Sequence, residues 1–323
     1  MTTRRHFIAG AALVLIAART FAQTAKPMPK LGVIRWDRPS LEETRNSLGQ
    51  ALRDRGYTEG KNVTFLWRSA DEKNEQADEI MREFIRERVN IIVAGPTPAA
   101  HAARRATATI PIVLSGVGDP VASGLVTSLA RPGGNITGSS LNLPGLAAKR
   151  VEVLRDALPT LKRIAFLGST PDPATKLFVT NTEHAARVLG FALHVELISG
   201  ASEFDAAFAR ITASGAQAVI VQPIFTSQRN RVTQLALKHR LPAISDFESF
   251  AHAGGLLSYG ANRSANMLIV ADYVERILKG AKPGDLPIQE PMRFPLIVNL
   301  RTAKALGVTV SAFVLARADE VIR

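Results

Sequence analysis

The chain has 323 residues, no cysteine, 46% apolar residues and a formal charge of +12, from 40 lysines and arginines against 28 acidic residues. The missing cysteine excludes disulfides, thiol catalysis and a lipid anchor on a cleavage-site cysteine. The basic residues are spread over helical patterns among acidic neighbours, as in Arg82-Glu83-Phe84-Ile85-Arg86-Glu87-Arg88, without interleaved aromatics, which argues for a solvated surface or mild steering of an acidic partner and against nucleic acid.

Residues 1–22 read as an export leader. Arg4-Arg5-His6-Phe7-Ile8 supplies the positive start, 9–18 an uncharged apolar run, and Thr20-Phe21-Ala22 the small residues before a cut after Ala22. That run is too short for a bilayer span, which takes about 20 apolar residues. The paired arginines suit either a twin-arginine or a Sec-type route. Cleavage removes Arg4, Arg5 and Arg19, and 23–30, with Lys26-Pro27-Met28-Pro29, reads as a linker. Later apolar runs such as 91–94 and 218–222 are only strand-sized, so the mature protein is expected to be untethered, not membrane-embedded, and held in a periplasm.

From Leu31 the pattern alternates between short apolar runs and amphipathic helices. Strands are predicted at 31–36, 63–67, 90–94, 112–115 and 136–139, with helices at 41–55, 74–88, 98–108 and 121–129. Ser40 and Glu43 have the spacing of a capping box, and Gly56 stands where a left-handed C-cap belongs. A helix at 146–158 opens a second series, with strands at 163–167, 192–196, 218–222, 243–245 and 256–259 and helices at 174–189, 203–214 and 227–239. Ile91-Ile92-Val93-Ala94-Gly95-Pro96 and Ile110-Pro111-Ile112-Val113 are echoed by Val219-Ile220-Val221-Gln222-Pro223 and Leu241-Pro242-Ala243-Ile244. Strands buried on both faces and joined by helices require parallel sheets covered on each side. The expected fold is therefore α/β with two Rossmann-like lobes. A helix at 264–279, a proline-spaced stretch, a strand at 296–300 and a basic helical turn at 302–306 are too little for a third domain, so they return to the lobes and create a hinge of several crossings. The first lobe is assigned 31–142 plus about 260–283, the second 143–259 plus about 284–323.

Several ordered segments make the chain resemble the ABC transporter substrate-binding protein family. They include Arg55-Gly56-Tyr57-Thr58-Glu59-Gly60-Lys61-Asn62-Val63, Gly118-Asp119-Pro120, Arg131-Pro132-Gly133-Gly134-Asn135, Gly254-Gly255-Leu256-Leu257-Ser258-Tyr259-Gly260, Asn299-Leu300-Arg301-Thr302-Ala303-Lys304-Ala305-Leu306-Gly307 and Arg317-Ala318-Asp319-Glu320-Val321-Ile322. The resemblance implies a type I periplasmic binding fold whose lobes close on a small solute, an amino acid, with aromatic ones among the family's ligands, for delivery to an ABC permease and its ATPase. It is expected to act as a monomer, without a cofactor or metal.

In open parallel sheets, ligands meet the carboxyl ends of the strands. That rule selects 35–37, 95–97, 115–119 and 139–142 in the first lobe, and 168–171, 222–225, 245–247 and 258–260 in the second. Thr97 followed by Pro98 reads either as a helix start that receives a ligand carboxylate or as a cap that satisfies only itself. Asp119 is either the partner of a ligand ammonium or an Asx turn. Trp36 is a candidate wall, with Phe225, Phe247 and Tyr259 closing from the other side. Asp246 is a ligand contact or a helix cap, and Asn142 and Gln222 complete the candidate set.

Catalysis has little support. His101, His184, His239 and His252 lie on helical patterns and His194 in a strand, with no metal-ligand spacing. Gly168-Ser169-Thr170-Pro171 lacks the second glycine of a nucleophile elbow. The leading expectation is a solute-binding protein and not an enzyme; the alternatives are an exported α/β enzyme such as a hydrolase, or a binding protein that reports to a membrane receptor.

Overall fold

The computed structural model describes residues 28–323; the expected leader and residues 23–27 of the expected linker lie outside them. The first sheet is built from β1 (Lys30–Arg35), α1 (Arg38–Arg53), β2 (Thr64–Ser69), α2 (Asn74–Arg86), β3 (Ile91–Ala94), α3 (Thr97–Ala106), β4 (Ile112–Val117) and β5 (Ile136–Ser140). Its five strands run parallel in the order β2-β1-β3-β4-β5. Alternation along β1 sends Leu31 and Val33 into one core and Ile34 into another. Gly32 lies under the Phe84 ring of α2, where a Cβ would stand 2.6 Å from the ring. Only glycine allows that helix to settle on the strand.

The second unit continues with α4 (Ala147–Ala157), β6 (Arg163–Ser169), α5 (Thr175–Val188), β7 (Ala192–Ile198), α6 (Phe204–Ala213), β8 (Val219–Val221), a 3₁₀ turn Pro223–Gln228, α7 (Arg229–Lys238), β9 (Ala243–Ser245), α8 (Glu248–His252) and β10 (Leu257–Tyr259). These strands repeat the first order as β7-β6-β8-β9-β10. The echoed sequences therefore occupy equivalent βαβ units, β3-α3-β4 and β8-α7-β9. Next come α9 (Arg263–Leu278), β11 (Leu296–Asn299), α10 (Leu300–Leu306), α11 (Ala312–Arg317) and β12 (Glu320–Ile322). β11 joins β10 antiparallel and β12 joins β11 in parallel, extending the second sheet to seven strands.

Three passages link the lobes. The chain leaves the first at 141–146 and returns at 260–262 into α9, which packs on α1, β4 and β5. It crosses again at 290–295. The third passage falls later than the 283–284 boundary expected, because Thr137 donates to the Leu286 carbonyl at 2.8 Å and Gln289 exchanges bonds with Gly138 and Ser140.

Two local expectations fail for identifiable reasons. Residues 121–129 form turns in place of a helix. Asp119 accepts from the N–H groups of Val121 and Ala122, but Gly124 then adopts φ +75° and both Leu125 and Val126 donate back to the Pro120 carbonyl. The N-cap of α1 is Asp37, whose Oδ1 accepts from Ser40 N at 2.8 Å, with a proline in the first turn. Glu43 is thereby left free for contacts described below. Gly56 does terminate α1 at φ +86°, where Tyr57 N returns to the Leu52 carbonyl.

Candidate ligand-binding site

A cavity of about 630 Å³, its solvent-open mouth included, lies where the strand ends of the two sheets face each other. The first lobe contributes Arg35, Asp37, Ser40, Pro96, Thr97, Ser115, Gly116 and Gly118, together with Arg263, Asn266 and Met267 of α9. The second contributes Asp172, Phe178, Pro223, Ile224, Thr226, Ser227 and Phe247, and Leu141 and Leu143 line it from the first crossing.

Arg35 ends β1 and is 5% exposed. Its Nη1 donates to the Ser115 carbonyl at 2.9 Å, whereas Nε is buried without a partner. Burial, then the nearby Arg263, lowers its pKa to about 9, against the pull of Asp37 and Glu43; it is still cationic at neutral pH. Gly95 makes this arrangement possible, since a Cβ there would stand 1.8 Å from the Ser115 carbonyl oxygen and 2.9 Å from Arg35 Nη1. Asn266, 4% exposed, also carries a buried Nδ2 without a partner, beside Gly116. Two unpaired donors thus flank the end of β4. An unpaired buried donor costs about 1–3 kcal/mol, which an acceptor brought by a ligand recovers.

The second lobe's share is largely apolar, with one buried carboxyl. Asp172 accepts from Ala174 N at 2.9 Å and from Gln222 Nε2 at 2.8 Å. Burial raises its pKa to about 6, and the two hydrogen bonds only partly oppose the rise. Gln222 is itself fixed by Ser169 N at 2.8 Å.

The lobes are closed upon each other. Glu43 of α1 takes Arg229 Nη1 at 2.6 Å and lies 3.5 Å from Arg263. Arg263 in turn lies over the Phe247 ring, 5.0 Å from its centroid. Glu72 accepts from Gln228 Nε2 at 2.6 Å and from Ala201 N at 3.4 Å.

Of the side chains expected at the site, the structure brings Thr97 and Phe247 into the wall. Thr97 is the first residue of α3 and not its cap, and its hydroxyl accepts from Gly118 N at 3.3 Å. Gln222 stands one layer back, holding Asp172. Trp36 is core, and Phe225 meets Phe204 edge to face at 5.1 Å. Asp119 caps its own turn, and the Asn142 side chain packs on Gly145. Asp246 is paired with Arg150 in the second lobe's interior, so its carboxylate is spent within the fold. Tyr259 faces Phe294 at 6.4 Å, and its carbonyl takes Arg150 Nε.

Sequence reasoning missed Arg35 and Asp37 as side chains, along with Asp172, Phe178, Arg263, Asn266 and Met267. For α9 a signal existed, because Arg263, Asn266 and Met267 have the i, i+3, i+4 spacing of one helical face. Among the described residues no group of three or more histidines or acidic residues could hold a metal ion, and no helix is long and apolar enough to cross a membrane.

Comparison with known proteins gives the arrangement a context. A tyrosine-binding protein of Clostridioides difficile strain R20291 is 29% identical over 273 residues, 84% of this chain and 78% of that protein. A solved ABC domain from Streptococcus pneumonia in complex with L-Trp has a TM-score of 0.83 at 24% identity, over 91% of this chain and 99% of that one. The ligand-free, open structure of a substrate-binding protein with adhesive properties from Clostridium difficile covers the same shares at 26% identity, yet its TM-score is 0.62. The model of the family described as ABC transporter substrate binding protein matches residues 32–322, and the chain belongs to that family, with the type I periplasmic binding fold.

Proposed function

We propose that this protein is the exported solute-binding component of an ABC-type uptake system, and that it captures an aromatic amino acid between its lobes and delivers it to a membrane permease driven by an ATPase. The observation that carries the ligand class is the pairing of opposite chemistries across one closed cavity. Arg35 Nε and Asn266 Nδ2, two buried donors without partners, suit a carboxylate, and the start of α3 at Thr97 adds its dipole. Asp37, two residues from Arg35, suits the ammonium. Phe178, Ile224 and Phe247 suit a flat apolar side chain. The names of the Clostridioides and Streptococcus relatives support the same class.

No covalent step is required. A ligand that contacts both lobes stabilises the closed state by its preference for that state, and closure marks the loaded protein for the transporter. The export leader read from residues 1–22 supports a periplasmic location for this reading, in which the protein acts untethered and as a monomer. The test is a thermal-shift and calorimetric screen of the mature protein against the common amino acids, sugars and small organic acids. Aromatic amino acids should raise the melting temperature, since ligand at 100 times its Kd adds about 2.7 kcal/mol. A response confined to sugars, or turnover of a bound compound, would defeat the reading.

A further inference from the structure

The two halves of the cavity wall are unequally supplied with hydrogen-bonding groups. The first lobe already matches both charged handles of an amino acid, with Arg35 and Asp37 at the end of one strand. The second lobe offers Phe178, Pro223, Ile224 and Phe247, the hydroxyls of Thr226 and Ser227, and the carboxyl of Asp172. Those two hydroxyl protons are committed locally, Thr226 to the Pro223 carbonyl at 2.6 Å and Ser227 to Gln228 Oε1 at 2.7 Å. Asp172 differs. Each of its oxygens accepts one bond, from Ala174 N and Gln222 Nε2, and each carboxylate oxygen has room for two. Among the described residues no arginine or lysine hydrogen-bonds it. Gln222 is locked by Ser169 N and Thr175 Oγ1, so the carboxyl is held in one orientation against the cavity.

On the reading that an aromatic amino acid lies here, we infer that Asp172 chooses among such ligands. Its carboxyl accepts a hydrogen bond from a donor on the ligand's side chain, the phenol O–H or the indole N–H, while the first lobe holds the amino-acid head. A phenyl ring offers no donor and leaves a buried acceptor unmatched. That penalty corresponds to roughly tenfold to hundredfold in affinity. Gln222 is a positioning residue in this scheme, acting only through Asp172.

The experiment is titration calorimetry of the purified mature protein with L-tyrosine, L-tryptophan, L-phenylalanine and 1-methyl-L-tryptophan, for the wild type, Asp172→Asn and Asp172→Leu. The wild type should bind tyrosine or tryptophan roughly tenfold to hundredfold more tightly than phenylalanine, and should discriminate against the methylated indole by a similar factor. Asp172→Leu should lose that preference while binding phenylalanine at least as tightly as the wild type does, because the unmatched acceptor is gone. Asp172→Asn should hurt tryptophan more than tyrosine, because an amide N–H can donate to a phenol oxygen but not to an indole N–H. Equal binding of phenylalanine by the wild type overturns the inference, and so does a uniform loss of all three amino acids in variants that melt normally, which would place the ligand ammonium on Asp172. If neither variant folds, the methylated ligand decides on the wild type alone. Failure of every aromatic amino acid would instead remove the underlying ligand class, an outcome distinct from the other two.

Discussion

Two buried guanidinium groups, one in each lobe, separate structure from function within this molecule. Arg150 of α4 is engaged by its own fold: Nε donates to the Tyr259 carbonyl at 3.0 Å, Nη1 to the Leu143 carbonyl at 3.3 Å, and Nη2 lies against the Asp246 carboxylate as an ion pair without a hydrogen bond of good geometry. Leu143 lies in the first passage between the lobes and Tyr259 precedes the second, so one side chain ties both to the base of Phe247. Arg35 is buried too, but its Nε has no partner and its side chain lines the cavity. A buried cation set against a carboxylate of its own lobe is scaffold; one with no ion pair among the described residues, beside a cleft, is available to an anion.

The largest effect should come from breaking the scaffold pair. Arg150→Met leaves Asp246 as an uncompensated buried charge, and urea unfolding should show a loss of about 3–5 kcal/mol. The double variant Arg150→Met/Asp246→Leu should recover most of it, because the charge needing a partner has gone too. If the double variant is as unstable as the single one, the tether to the two passages matters more than the charge.

Arg35→Met should show the opposite pattern. Only the bonds to Ser115 are lost from the fold, costing about 1 kcal/mol in unfolding. Ligand affinity should drop by a hundredfold or more, about 2.7 kcal/mol, because a carboxylate would then enter a dry site without its cation. Calorimetry on a variant that melts within a few degrees of the wild type makes the comparison. A variant that binds normally would return Arg35 to the class of Arg150.

The contrast between the two arginines also shows what a sequence can reveal. The succession of strands and helices, two repeated lobes and the loops at the strand ends were legible, because short apolar runs between amphipathic helices leave few arrangements. The cavity wall draws Arg35, Asp37, Thr97, Ser115, Pro223 and Phe247 from those loops. Which side chain turns inward was not legible. Adjacent residues of an extended or tightly turning segment face different ways, and in two loops the chosen residue was one place off: Trp36 for Asp37 and Phe225 for Ile224. Asp246 could not be resolved without knowing that Arg150, about a hundred residues earlier, reaches it. The residues of α9 were missed for a different reason. They enter the site only because the chain recrosses to the first lobe, a consequence of tertiary packing.

Asp172 sharpens the comparison through pH. Burial lifts its carboxyl to about 6, whereas an unfolded aspartate titrates near 4. The folded chain therefore holds this proton more firmly than the unfolded one. The group favours the fold most below about pH 4, and that contribution is lost as the pH rises through about 6. Two units correspond to about 3 kcal/mol, so the stability of the wild type relative to Asp172→Asn should fall by about 2–3 kcal/mol between pH 4 and pH 7. A difference that stays flat over that window would mean the carboxyl is solvated in the free protein, and with it the dry second-lobe wall would be in doubt.

The smallest effect concerns the contacts that hold the lobes together, where Glu43 and Glu72 form a contrast of their own. Glu43 faces cations, Arg229 across the cleft and Arg263 on its own side, while Glu72 accepts only from neutral donors, Gln228 and the Ala201 backbone. The Glu43 and Arg229 side chains are 38% and 25% exposed, so their pairing belongs with weak surface ion pairs of about 0.5–1 kcal/mol. Glu43→Gln should lower ligand affinity by about two- to fivefold at 50 mM salt, and the deficit should shrink at 500 mM as the charges are screened. Glu72→Gln keeps a hydrogen-bonding group and removes no cation partner, so any loss it causes should be the same at both salt concentrations. Equal salt dependence in the two variants would show that Glu43 acts by shape and not by charge; an unchanged affinity in both would move the work of closure to the ligand and to Arg263 over Phe247.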